Sequence, residues 1–152
     1  MKLRAVLVVL AVGWLIYRYA PMSPIETALV VEDQTPAPGE SRDSDRAITE
    51  AFAERRSEVQ VESSGVVAQT LADDNDGARH QRFIVELASG HTVLIAHNID
   101  LAARVPLAQG DAVEFQGEYE WNDRGGVVHW THHDPNGSHR GGWIRHRGRI
   151  YR

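Results

Sequence analysis

Five of the chain's eight histidines fall between residues 129 and 146: His129, His132, His133, His139 and His146. Imidazole offers a lone pair near neutral pH, so clustered histidines point first to metal ligation or proton transfer. A zinc centre needs three or four ligands meeting tetrahedrally. The chain has no cysteine, so a thiolate is excluded both as ligand and as nucleophile. The metal candidates are therefore His129, His132, His133, Asp134 and His139. Four of them, His129, His133, Asp134 and His139, converge if the turn Asp134-Pro135-Asn136-Gly137 folds His139 back; Zn2+ is the ion such a set would take. The spacing matches no established metal signature. The competing account has these histidines bonding backbone and arginines in a loop-rich end of the domain.

A second group is His97-Asn98-x-Asp100, placed where a strand leaves the domain, a usual position for binding residues. A hydrolytic site would use His97 as base, Asp100 as its orienter and a metal-bound water supplied by the tail. Ser89 and Ser138 read as turn residues, so no serine nucleophile is indicated. Tyr119, Trp121, Trp130, Trp143 and Tyr151 concentrate aromatic rings in the last third. At alternate strand positions such rings usually pack inward; turned outward beside Arg140 they form a stacking platform for sugars or bases. The ligand-binding candidates are thus His97, Asn98, Asp100, Trp121, Trp130, Arg140 and Trp143. The acidic run Asp73, Asp74, Asn75, Asp76 lacks the loop length and terminal glutamate of a calcium-binding hand, and reads as a solvated turn.

The elements that must position these residues are mostly strands. Val59–Leu71, His80–Ala88, His91–Ala96, Ala112–Trp121 and Val127–His132 each carry alternating or continuous apolar residues bounded by turn signals. Asp76-Gly77, Ser89-Gly90, Gln109-Gly110-Asp111 and Asn122–Gly126 supply the turns. A last hairpin is expected about Gly148, and one helical turn at Leu101–Arg104. On the fifth strand, His129, Thr131 and His133 would share one face, and Trp130 and His132 the other. Five short strands with a break between the third and fourth predict a mainly β, five-stranded OB-like Greek-key barrel. An SH3-like barrel and a plain sandwich are the alternatives. Before the barrel, Ser44 would cap a short amphipathic helix whose apolar stripe is Ala47, Ile48, Ala51 and Phe52.

The whole chain has 152 residues, 42% of them apolar, enough for one core. The expected organisation is a membrane-directed segment over 1–20, a Pro-rich linker over 21–43, the helix over 44–57 and the barrel over 58–152. Lys2 and Arg4 precede an apolar run from Ala5 to Tyr17, the pattern of a signal peptide or signal anchor. As a helix that run reaches roughly 20 Å, short of the ~30 Å hydrocarbon core. It is followed by bulky Tyr17-Arg18-Tyr19, a poor cleavage site, so an uncleaved anchor over residues 5–19 is preferred. The domain is then expected outside the inner membrane, in the periplasm or its equivalent. Net charge is −5, yet residues 121–152 hold six arginines against two acids. Either this basic end folds back on an acidic face or it binds anions.

The phrases His80-Gln81-Arg82-Phe83-Ile84, His97-Asn98-Ile99-Asp100-Leu101-Ala102, Gly117-Glu118-Tyr119-Glu120-Trp121-Asn122, His129-Trp130-Thr131-His132-His133-Asp134-Pro135 and Gly142-Trp143-Ile144 resemble a family of small bacterial exported proteins of unknown function. The likeness covers roughly residues 59–152. More distantly the chain is similar to periplasmic OB-fold domains, which are binding or stress-related modules. The resemblance implies a location and a fold but no activity. Two functions follow as expectations. One is a membrane-tethered OB-like binding module for an anionic or sugar-like ligand, such as an envelope polymer, an oligosaccharide or nucleic acid. The other is a metal-dependent, phosphodiester-type hydrolase built on the C-terminal histidines. The absence of a complete catalytic motif favours the first, and the sequence sets no oligomeric state.

Overall fold

A computed structural model of the protein describes residues 38–152, with side chains from Asp45 onward. The hydrophobic segment over 1–20 and most of the expected linker lie outside the described residues. Among the described residues no helix is long and apolar enough to cross a membrane.

Helix α1 spans Pro38–Ala53 and so begins ahead of the expected cap at Ser44. Proline suits such a start, because its fixed φ is helical and its missing N–H would be unpaired there anyway. The strands are β1 (Val59–Thr70), β2 (His80–Leu87), β3 (Thr92–Asn98), β4 (Ala112–Glu120), β5 (Val127–His129), β6 (Trp143–His146) and β7 (Arg149–Tyr151). The first five close on themselves: β1 pairs β2, β2 pairs β3, β3 pairs β5 in parallel, β5 pairs β4, and β4 returns to β1. This is the expected OB-like barrel.

Period-two alternation carries the closure. Phe83, Val85 and Leu87 of β2, Val93 and Ile95 of β3, and Val113, Phe115 and Tyr119 of β4 all point inward and are buried. Each large side chain buried this completely contributes about 1.5–3 kcal/mol. β1 serves two neighbours, pairing β4 along its first part and β2 along its last. It bends where they change over. A Cβ on Gly65 would collide with the Glu86 carbonyl and with Val85. A bulge between Val67 and Gln69 adds to the bend.

One end of the barrel is plugged by α1, whose Ile48 and Ala51 have no exposed surface. The buried Asp45 carboxylate accepts the Ser63 hydroxyl at 2.7 Å and the Ser89 backbone N–H at 2.9 Å. The helix is thereby pinned to β1 and to the β2–β3 turn. The β3–β4 connection has a turn at 99–101 and no helix. The Gln81 amide holds this connection against β2, donating to the Val105 carbonyl at 2.8 Å and accepting its N–H at 2.9 Å.

β5 is shorter than the sequence suggested and ends at His129. Trp130 adopts a left-handed conformation with φ 52°, which breaks the strand and its alternation. The expected grouping of His129, Thr131 and His133 on one face therefore does not form. The chain leaves the sheet over residues 130–142 and rejoins β4 as β6, pairing Trp143 with Gln116 and Arg145 with Glu114. Arg147 and Gly148, both at positive φ, make a two-residue turn into β7.

Candidate functional site on the barrel wall

The outward-facing residues of five strands form a row across the barrel wall. Gln60 of β1 lies opposite Glu118 of β4, and Glu118 lies opposite His129 of β5. On the far side of β5, Ala96 of β3 lies opposite Arg82 of β2. Glu120 follows Glu118 two residues on, so both carboxylates of this Glu-x-Glu pair leave the same face. β4 and β5 approach closely beneath them, since a Cβ on Gly117 would strike the His129 carbonyl.

His129 Nε2 lies 3.6 Å from Glu118 Oε1 and 3.8 Å from Glu120 Oε1. Both distances exceed a hydrogen bond. The nitrogen is buried and makes no hydrogen bond. Burial pushes the His129 pKa down, against the pull of the two carboxylates. The other oxygen of Glu118, Oε2, accepts from Gln60 Nε2 at 3.0 Å and faces His139 Nε2 at 3.0 Å. The second ring nitrogen of His139 faces the Arg140 carbonyl at 3.0 Å. Both ring nitrogens of His139 thus face oxygens, which fixes the orientation of the ring. The His139 ring stacks on Trp130 at 4.0 Å between centroids and 9° between planes.

Beside this cluster runs a shallow cleft of about 260 Å3, lined by Asp74, His80, Arg82, Ala96, Glu120, Val127 and His129. Donors (Arg82 and His80), acceptors (Asp74 and Glu120) and the His129 ring line it together with Ala96 and Val127, and most of its exposed lining is apolar.

Of the expected metal candidates, His129 and His139 do come together, but across Glu118 rather than around Asp134. The Asp134 carboxylate accepts the backbone N–H groups of Asn136, Ser138 and His139 and the Ser138 hydroxyl. These bonds, led by that from Asn136, hold its pKa at about 2. Asp134 is the organiser of its own turn. It does fold His139 back, as its motif suggested. His132 is buried and bonds the His133 carbonyl through Nδ1, while His133 is exposed.

The other group is dispersed. His97 is fully buried, with Nε2 on the Ala103 carbonyl at 3.2 Å and Nδ1 on the Thr131 hydroxyl at 2.9 Å. Burial lowers its pKa to about 4, so the ring is neutral. Asp100 does not orient it, because that carboxylate accepts the backbone N–H and Nε of Arg79. Asn98 accepts the Asp100 N–H within a local turn. Trp121 packs on the core edge with the Arg55 guanidinium 5.4 Å from its ring centroid. Trp143 carries Arg145 at 4.8 Å, and Arg140 is exposed. No tryptophan lines the cleft. Glu118 and Glu120 were absent from the candidates, although their spacing on a strand with Val113, Phe115 and Tyr119 turned inward already placed them outside.

An OB-like barrel with a histidine–carboxylate cluster on its wall defines the class of protein. A family model described as protein of unknown function (DUF3465) matches residues 34–152, and the chain belongs to that family. The resemblance carried by its sequence phrases pointed to an uncharacterised family of this kind. No curated protein matches the chain.

Proposed function

We propose that this protein is a membrane-tethered, extracytoplasmic binding module that takes a sugar-like segment of an envelope polymer in the wall cleft. The observation that carries the proposal is the cleft's lining. Donors (Arg82 and His80) and acceptors (Asp74 and Glu120) share a mostly apolar lining that includes Ala96 and Val127, a combination that suits a sugar ring with its polar edge and apolar faces. Asp74 and Glu120 disfavour a long polyanion in the same place. Tethering rests on the apolar run from Ala5 to Tyr17 behind Lys2 and Arg4. The hydrolytic alternative has less support, since Asp134 is fully engaged in its turn and Asp100 with Arg79.

The test is titration of the isotopically labelled full chain in detergent with soluble envelope-derived oligosaccharides. Saturable shifts confined to cleft residues are expected. Arg82→Ala should weaken binding about 10- to 150-fold, as loss of a charge-assisted hydrogen bond worth ~1.5–3 kcal/mol would require. Deletion of residues 1–20 should release the protein from the membrane fraction without altering the titration. Shifts outside the cleft, or none at all, would overturn the proposal.

A further inference from the structure

The trio on the wall has a geometry that the cleft reading does not explain. We propose that Glu118, Glu120 and His129 bind one Zn2+ ion at the edge of the cleft. The three donor atoms lie within 4.8 Å of one another. With zinc bonds of 2.0–2.1 Å, ligand atoms of a tetrahedral centre stand about 3.4 Å apart. The 3.6 and 3.8 Å separations from His129 Nε2 need only a few tenths of an ångström of closure. Nε2 is buried and has no hydrogen-bond partner, which is costly for a polar atom unless something else occupies its lone pair.

Glu118 is also held as a metal ligand is held. Its Oε2 is occupied by Gln60 and His139, leaving Oε1 turned to His129. Outer partners of this kind fix the orientation of a ligating carboxylate. The donor set of one imidazole and two carboxylates selects zinc or a similar first-row dication over calcium, which takes oxygen ligands alone. Three protein ligands leave a fourth position open. Glu120 and His129 also line the cleft, so that position borders it.

The full chain, stripped of metal and dialysed against buffered Zn2+, should retain one equivalent. Glu120→Gln and His129→Ala should each weaken retention more than about tenfold. Gln60→Ala, which removes an outer partner, should cost about 10–100-fold. His133→Ala, at an exposed histidine, should change nothing. Co2+ in place of zinc should give visible bands with no thiolate charge transfer, and His129→Ala should abolish them. Far-UV circular dichroism identifies any variant that fails to fold, and the Co2+ spectrum of the unmodified chain then decides. No retained zinc and no Co2+ bands in the unmodified chain would overturn the site. So would undiminished zinc in a folded Glu120→Gln/His129→Ala variant. Arg82→Ala should leave zinc retention intact, and oligosaccharide titration in chelator tests the cleft alone, so either proposal can fail without the other.

Discussion

His97 shows how a residue's chemistry is set by which way its strand turns it. On β3 it follows Val93 and Ile95 at spacing two, and so belongs to the inward face. That alternation is legible in the sequence, and it outweighs the titratable chemistry that suggests a rim position. The same rule placed Glu118 and Glu120 outside. What no local pattern could supply was the pairing of Glu118 with His129, which depends on β5 inserting between β3 and β4. For His97 the consequence is a pH dependence. Its ordinary value of 6.5 applies to the unfolded chain, and about 4 to the folded one. Between these values the unfolded state binds a proton that the folded state refuses, so stability falls as pH drops through this window and is fully present above it. The full difference is about 3 kcal/mol. Urea unfolding at pH 7 and pH 4.5 should therefore show a stability loss in the unmodified protein that exceeds the loss in His97→Gln by ~2–3 kcal/mol. Equal losses in both would assign the acid sensitivity to other groups.

Among the elements, the strands were legible because each buries one face, and period-two patterning survives wherever that is so. β2 and β4 match expectation closely, with Phe83, Val85, Phe115 and Tyr119 inward. β5 stops at His129 although Trp130 and Thr131 are good strand residues, because Trp130 takes a positive φ, which at tryptophan has no signature in composition. The helix stripe of Ala47, Ile48, Ala51 and Phe52 was visible; its partner was not, since that partner is the open end of a barrel formed later in the chain. Ile48 fills that end with no exposed surface. Ile48→Ala should cost about 2–5 kcal/mol, the range for emptying a site that cannot collapse. Thr49→Ala on the helix's outer side should cost far less. Chemical denaturation of the two variants compares them directly, and equal costs would mean that the helix is not part of the barrel's core.

Over the whole molecule the notable asymmetry is charge, with six arginines in the last 32 residues of a chain whose net charge is −5. The fold brings two of these arginines against the acids of β4 and its preceding turn. Arg145 bonds Glu114 at 2.5 Å, and Arg147 bonds Asp111 at 3.1 Å. The buried His146 meets the other oxygen of Asp111, also at 3.1 Å. Arg149 lies over the Tyr151 ring. Arginines tied to the domain's own acids contribute little field to a polyanion, because affinity for nucleic acid scales with the counterions that free cations displace. The full chain should therefore bind single-stranded DNA more weakly than ~10⁻⁴ M at physiological salt, the weak end of non-specific binding. Asp111→Asn/Glu114→Gln removes the acids that hold Arg145 and Arg147. Fluorescence anisotropy should then show tighter, salt-sensitive DNA binding, at the expense of a less stable β6–β7 hairpin. Micromolar, salt-dependent binding by the unmodified protein would reverse this account and make the C-terminal arginines a polyanion surface in their own right.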